Sequence, residues 1–219
     1  MNRFLILAHA RSGSTSLAEM FESQGCTVAF EPFNAHNHRG VNYLDRWGRE
    51  GFEAAFDEVL ASYEGIKHLY SFTTREQTAL MKSKCRTIFL YRRNLLDAAV
   101  SLEMAFQTKV WMKSQAQSDY SARKVRLCPD KVAAAVAHLR RHGANLDENC
   151  LPVSYEQLYS GDGIAKVREI FKFAGCDIAE EQKIASILRD NKLNSLPWSE
   201  TVENWDEISA ADFGDVRFM

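Results

Sequence analysis

The chain opens with the pattern of a strand, a polar loop and a helix in direct succession. The apolar run Phe4–Ala8 has the length and composition of a buried strand. A polar turn follows over residues 9–13, and residues 14–24 then show apolar side chains at helical spacing until Gly25 ends the helix. The first N–H groups of such a helix open into the loop, which gives the loop a positive potential.

Strands and helices alternate along the rest of the chain. Further strands are predicted at residues 27–30, 66–70, 87–91 and 151–154. Further helices are predicted at residues 52–63, 75–84, 95–110, 130–146, 164–174 and 180–190. This alternation is typical of an α/β fold in which a central parallel sheet is flanked by helices on both faces. The tail after Leu196 is predicted to be irregular, with Trp198 and Trp205 anchoring it.

The composition fits one globular, enzyme-like domain. The 219 residues contain no proline- or glycine-rich stretch that would hinge a second domain, so we expect a single domain over residues 1–219. A formal net charge of −2 argues against binding to nucleic acid or to an anionic membrane. Any anion site must therefore be built locally from a few groups. The sequence does not indicate an oligomeric state.

Cysteine usage and hydropathy indicate a cytoplasmic protein. The five cysteines are scattered and form no C-x-x-C pair, which fits reduced thiols better than disulfides or a zinc site. The apolar run at residues 4–8 is too short for a signal-peptide core or a membrane span, and no later segment does better. We therefore expect no association with a membrane.

The first loop carries residue types that suit an oxyanion. Arg11 supplies a fixed charge with a forked set of donors, and Gly13 permits close approach of the backbone. Ser12, Ser14 and Thr15 supply hydroxyl donors at the start of a helix, where N–H groups and the helix dipole attract phosphate. In the simpler alternative, Ser14 or Thr15 only caps the helix and Arg11 is a solvated surface residue.

The loop departs from the phosphate-binding loop of ATP- and GTP-hydrolysing enzymes. That motif, G-x-x-x-x-G-K-[ST], needs a glycine where Ala8 stands and a lysine where Ser14 stands. The strand at residues 87–91 is also followed by Arg92 and Arg93, where many such enzymes carry a magnesium-binding aspartate. The sequence therefore favours chemistry without a metal ion.

A second basic motif follows the predicted strand at residues 87–91. Open α/β sheets bind ligands at the carboxyl ends of their strands, so Arg92 and Arg93 should share an edge with the first loop. Asn94 can cap the next helix, and Ser101 lies two turns along it. Two anion-directed groups predict a ligand with phosphates at two positions. The alternative assigns the arginines to surface salt bridges and Ser101 to a packing contact.

These residues resemble the sulfotransferases that use 3′-phosphoadenosine 5′-phosphosulfate (PAPS), in particular their bacterial carbohydrate-type branch. Residues 11–15, Arg-Ser-Gly-Ser-Thr, are similar to the loop that binds the 5′-phosphosulfate in that family. Arg93 and Ser101 have the eight-residue spacing of its 3′-phosphate motif, and residues 155–158 are similar to its Y-E-x-L element. The match spans residues 4–158, and the R-K-G element of one branch is absent.

The resemblance implies an α/β sulfotransferase with a P-loop-like fold and PAPS as its co-substrate. It assigns the 5′ end of PAPS to a set of loop residues: Arg11, Ser12, Gly13, Ser14 and Thr15. Arg11 would also neutralise charge that develops on the leaving phosphate. Arg93 and Ser101 would hold the 3′-phosphate, and Tyr155 would lie near the nucleotide. Asn204 is a further candidate contact in the carboxy-terminal part.

The catalytic base is predicted at Glu31, because this residue follows the second strand and should open onto the same sheet edge. The position is similar to the catalytic glutamate of some carbohydrate sulfotransferases. In the alternative, Glu31 is a solvated carboxylate in a turn. His68 ranks second, because other branches carry a lysine and a histidine at a strand end, as Lys67 and His68 do here. His36 ranks third, and His38 is a further rival.

The implied function is transfer of a sulfuryl group from PAPS to a hydroxyl of a carbohydrate or small-molecule acceptor. A P-loop kinase acting on a small molecule and a non-catalytic nucleotide-binding protein of the same fold are the alternatives. The acceptor is not indicated, because the segments expected to line its pocket carry aromatic side chains that suit a sugar, an aromatic compound or the core. These side chains are Tyr43, Trp47, Phe106, Trp111 and Tyr120.

Overall fold

A computed structural model of the chain describes residues 3–37, 39–111, 124–141, 149–159, 162–190 and 196–218. Within these ranges a five-stranded parallel sheet has the strand order β2-β3-β1-β4-β5. The strands are β1 (Phe4–Ala8), β2 (Val28–Phe30), β3 (Gly65–Leu69), β4 (Arg86–Tyr91) and β5 (Cys150–Ser154). The predicted α/β fold with a central parallel sheet is confirmed.

Helices connect the strands and cover the sheet. In chain order they are α1 (Ser14–Ser23), α2 (Leu44–Glu50), α3 (Phe52–Ser62), α4 (Arg75–Lys84), α5 (Leu95–Thr108), α6 (Pro129–Arg141), α7 (Tyr155–Tyr159), α8 (Gly163–Ala174), α9 (Glu181–Asp190), α10 (Trp198–Thr201) and α11 (Trp205–Ala210). The predicted strands and helices begin and end within two residues of these bounds. The exception is the end of α6, because residues 142–146 lie outside the described residues.

Alternation along β1 directs its side chains to two separate cores, one on each face of the sheet. Leu5 and Leu7 belong to the core formed with α3, α4, α5 and α6. The remaining residues of β1 belong to the core formed with α1, α8 and α9. In that second core, the ring of Phe21 stacks between Phe4 and Phe171, with centroid distances of 4.2 and 4.1 Å. Because both faces are covered, β1 is buried along its whole length.

The strand order places the loop after β1 between two other strand ends. Ala8 pairs with Leu69 of β3 on one side and with Leu90 of β4 on the other. The segments that follow β3, β1 and β4 therefore emerge side by side at one edge of the sheet. In open α/β sheets this is the edge at which ligands bind.

The prediction of an irregular tail is wrong, because the tail contains the short helices α10 and α11. Pro197 precedes α10 with a φ of −57°, which suits the start of a helix. The indole of Trp198 donates to Asp97 Oδ1 at 2.7 Å and anchors the tail as predicted. Helices of four and six residues are too short to show an apolar period in the sequence.

Candidate functional site

The loop after β1 is shaped by two residues in the left-handed region. Arg11 has a φ of 64° and Gly13 a φ of 84°. Gly13 is the N-cap of α1, so neither Ser14 nor Thr15 caps the helix. Because glycine has no side-chain oxygen, the N-cap offers no acceptor to the N–H groups of the first turn. The loop thus presents a helix N-terminus that an anion can cap.

The serines of the loop are mostly turned inward. The Ser12 hydroxyl is buried and donates to the His9 carbonyl at 2.7 Å. Its hydrogen is therefore used to shape the loop, and the backbone N–H is the donor that Ser12 can offer a ligand. Ser14 is also buried, whereas Thr15 is half-buried.

Two tyrosine rings close the space behind Gly13. A Cβ at Gly13 would lie 3.1 Å from Tyr159 Cε2 and 3.2 Å from Tyr155 Cδ2, so both the φ and the packing require glycine. The ring centroids of Tyr155 and Tyr159 are 4.4 Å apart. Burial raises the pKa of Tyr159 to about 12, so its hydroxyl stays neutral. Tyr155 therefore lies beside the loop, as its predicted role requires.

A direct side-chain contact joins the first loop to the second basic motif. Arg11 Nε donates to Ser101 Oγ at 3.0 Å, although the two residues are 90 positions apart. Arg11 Nη1 also donates to the Trp111 carbonyl at 2.7 Å. The backbones of the two segments are also in contact, because His9 N donates to Leu90 O at 3.0 Å. The two motifs share one edge of the sheet, as expected, while their ligand roles stay predictions.

The backbone of Arg93 is fixed and its side chain is exposed. Both carboxylate oxygens of Glu156 accept from Arg93 N at 3.1 Å. Phe218 N donates to Arg93 O at 2.9 Å, and Arg93 is exposed. Asn94 caps α5 as predicted, accepting from Leu96 N and Asp97 N at 3.1 and 3.3 Å.

Arg92 packs on the ring of Tyr155. Its guanidinium carbon lies 4.4 Å from the centroid of the Tyr155 ring, which is a cation–π contact. Since that ring also touches Gly13, Arg92 adds positive charge behind the loop.

Glu31 is held in an unusual backbone conformation beside a buried lysine. Its φ is 43°, and its N–H donates to Lys67 O at 2.7 Å. Lys67 Nζ bonds Glu31 Oε1, and Asn34 Nδ2 donates to Oε2 at 2.6 Å. Burial raises the pKa of Glu31, but the Lys67 charge and the hydrogen bonds from Lys67 and Asn34 lower it by more. Glu31 is therefore an ionised carboxylate at neutral pH.

The sequence reading missed how Glu31 is held. In the sequence, Lys67 was noted only as the neighbour of His68 at a strand end, and Asn34 was given no role. The signal that could have indicated a partner is the lysine within the buried strand β3, because a buried charge needs one. The pairing itself depends on residues 36 positions apart.

The histidines that the sequence offers as alternative bases lie in surroundings unlike those of Glu31. His68 is fully buried between the rings of Phe33 and Phe72, at centroid distances of 5.8 and 5.9 Å. Among the residues that the structure describes, neither of its ring nitrogens has a hydrogen-bond partner. Burial lowers the pKa of His68 from 6.5 to about 4. His36 is exposed, and His38 lies outside the described residues.

Asn204 is engaged in the packing of the tail. Its Oδ1 accepts from Leu127 N, and its Nδ2 donates to Leu127 O and to Glu207 Oε2, all at 2.9 Å. These bonds use both donors of the amide and one acceptor position. The side chain thus joins two segments of the chain.

Together, the fold and the site define an α/β protein whose sheet edge carries three arginines and a helix N-terminus without a side-chain cap. Its family follows from comparison with known proteins. A model of the sulfotransferase domain matches residues 1–215, and the chain belongs to that family. No curated protein matches the chain.

One similar solved structure is that of mouse sulfotransferase SULT7A1 complexed with PAP. It is 17% identical, with a TM-score of 0.49 over 86% of this chain. The match covers 64% of the mouse protein's chain. In the described part of the present chain, none of the helices combines the length and apolar character needed to cross a bilayer. The same residues hold no group of three or more His, Cys, Asp or Glu side chains arranged to bind a metal ion.

Proposed function

We propose that the chain transfers a sulfuryl group from PAPS to a hydroxyl of a carbohydrate or small-molecule acceptor. The observation that carries the proposal is the bond from Arg11 to Ser101. It brings a helix N-terminus suited to a 5′-phosphosulfate within one side-chain length of the motif suited to a 3′-phosphate. A ligand with anionic groups at both positions of one ribose fits such a pair of sites.

The 5′ end is assigned to the loop at residues 11–15. The uncapped first turn of α1 offers N–H groups, Gly13 lets them approach closely, and Arg11 supplies charge. The 3′-phosphate is assigned to Arg93 and Ser101. Arg93 suits this role because its backbone is fixed while its guanidinium is exposed.

The chemistry needs a base for the acceptor proton and stabilisation of the leaving phosphate. Glu31 accepts the proton as the acceptor oxygen bonds to sulfur and the sulfur–oxygen bond to the 5′-phosphate breaks. Arg11 and the amides of α1 stabilise the charge that develops on that phosphate. The products are a sulfate ester and adenosine 3′,5′-bisphosphate.

The acceptor is assigned to the part of the edge that carries exposed aromatic side chains. Phe106 and Trp111 are 50% and 37% exposed and meet edge to face at 5.1 Å. The Trp111 carbonyl is bonded to Arg11, so this pair adjoins the loop. Such rings stack on the apolar faces of sugars and aromatic compounds.

Calorimetric titration without magnesium tests the donor site. Adenosine 3′,5′-bisphosphate should bind at least about tenfold more tightly than adenosine 5′-monophosphate or ATP, because a charge-assisted phosphate contact contributes about 1.5–3 kcal/mol. Arg93→Ala should remove most of this preference and change monophosphate binding little. Arg189→Ala is the matched control, since Arg189 pairs with Asp190 on the surface of α9. Equal losses for both nucleotides in Arg93→Ala would remove Arg93 from the 3′ site.

Transfer is tested with ³⁵S-labelled PAPS and a panel of sugars, phenols and alcohols. A labelled sulfate ester is the expected product. Tighter binding of ATP, or dependence on magnesium, would support a kinase instead. Binding of the bisphosphate without transfer to any acceptor would support a non-catalytic nucleotide-binding protein.

A further inference from the structure

The segment that follows β2 contains two asparagines with the same local bonding. Asn34 Oδ1 accepts from His36 N, and Asn37 Oδ1 accepts from Arg39 N, both at 2.9 Å. The two amides also donate at 2.6 Å, but to different acceptors. Asn37 Nδ2 donates to the Phe30 carbonyl, whereas Asn34 Nδ2 donates to the carboxylate of Glu31. Of these two bonds, only that of Asn34 reaches an ionisable side chain.

The conformation of Glu31 depends on its contacts. A residue other than glycine in the left-handed region costs roughly 1–2 kcal/mol. At Glu31 this conformation is held by its N–H bond to Lys67 O at 2.7 Å and by Asn34 N, which donates to Glu31 O at 3.0 Å. Asn34 therefore contacts Glu31 through both its backbone and its side chain.

We infer that Asn34 is a positioning residue for Glu31, fixing the second carboxylate oxygen while Lys67 fixes the first. The inference rests on the proposed function, in which Glu31 accepts the acceptor proton. A carboxylate with one donor on each oxygen keeps one orientation, and each oxygen retains a lone pair for a proton. The amide of Asn34 is buried, so the bond is shielded from competing water.

The charges around Glu31 leave Asn34 as its neutral partner. From β3, Lys67 bonds Glu31 directly, and the electrostatic interaction with His68 also lowers the Glu31 pKa. The charges of Arg11 and Arg39 lower the Lys67 pKa. Arg39 is itself paired with Glu19 and Glu22 of α1 at 2.7 and 2.8 Å. In the part of the chain that the structure describes, no carboxylate shifts the Glu31 pKa, so replacing the amide by a carboxylate would place a negative group in direct contact with Glu31.

Titration of Glu31 tests the inference without requiring an acceptor. Protein labelled with ¹³C at the glutamate side-chain carboxyl is titrated by NMR, and the Glu31 resonance is assigned by its loss in Glu31→Gln. Asn34→Asp keeps the shape and the acceptor for His36 N, but replaces the donor to Glu31 by an oxygen. The pKa of Glu31 should rise by at least about one unit, because a like charge replaces a hydrogen bond. Asn37→Asp, the matched control, should raise it by less than about 0.3 unit.

Two results would overturn the role of Asn34. One is an unchanged Glu31 pKa in folded Asn34→Asp. The other is an equal rise in both variants, because a negative charge anywhere in the segment would then suffice. If Asn34→Asp does not fold, Asn34→Ala takes its place, with an expected rise of about half a unit from loss of the hydrogen bond alone.

With an acceptor from the transfer panel, kinetics separate this inference from the proposed function. The acid limb of kcat should move to higher pH in Asn34→Asp, since Glu31 must be ionised to act, while the KM for PAPS stays within about twofold. A shifted pKa together with wild-type protein that transfers no sulfuryl group would count against the function alone. An active wild type with an unshifted acid limb in Asn34→Asp would count against Asn34 alone.

Discussion

The enclosed imidazole of His68 should make the protein sensitive to mild acid. Its folded-state pKa of about 4 lies below the ordinary 6.5, because burial disfavours the charged ring. The stability that this provides is complete above pH 6.5 and is lost as the pH falls towards 4. The full shift corresponds to roughly 3 kcal/mol, and about 2 kcal/mol of it would be lost between about pH 7.5 and 5.

Denaturant unfolding at these two pH values measures the effect, with His68→Leu as the non-titrating comparison. Wild type should lose about 2 kcal/mol more than the variant, because leucine has no titrating group. Leucine also suits the apolar site beside Phe33 and Phe72, so the variant should fold. His68→Gln, which is polar but does not titrate, should behave like His68→Leu. The same loss in all three proteins would refute the assignment of a low pKa to this ring.

Two further substitutions test the loop and the base. Gly13→Ala should lower the thermal stability and weaken bisphosphate binding at least about tenfold, because the new Cβ meets two tyrosine rings at 3.1–3.2 Å in a left-handed conformation; normal binding in thermal-shift and calorimetric assays would contradict this. Glu31→Gln should lower kcat at least about a hundredfold while the Kd for bisphosphate changes less than about twofold. Retained turnover in the radiolabel assay would exclude Glu31 as the base.

The sequence was sufficient to predict the sheet because its strands are buried on both faces. Strands such as Phe4–Ala8 and Arg86–Tyr91 are nearly continuous apolar runs, and their helices end at glycine or begin at capping residues. The tail was mispredicted because α10 and α11 are held by tertiary contacts, such as the bond from Trp198 to Asp97, and not by a periodic pattern.

The location of the site was predictable from the topology of the sheet, whereas its contacts were not. The position of a loop or arginine at a strand end follows from topology, so the proximity of Arg11 to the second motif was expected. The partner of each side chain does not follow from topology. The burial of the Ser12 hydroxyl and the pairing of Glu31 with Lys67 depend on local backbone conformations that one sequence does not specify.

The strand order also separates the tasks that the proposed reaction requires. Glu31 and Lys67 lie on the β2–β3 side of the loop, whereas Arg93 follows β4 on the opposite side. If the loop holds the group to be transferred, the base lies on one side of it and the 3′-phosphate on the other. The reacting hydroxyl of the acceptor must then lie on the β2–β3 side of the loop, next to Glu31, while the nucleotide extends towards β4. Lys67 is paired with Glu31, whereas within the described ranges neither Arg92 nor Arg93 forms a salt bridge, so their positive charge lies on the side where the bisphosphate would remain after transfer.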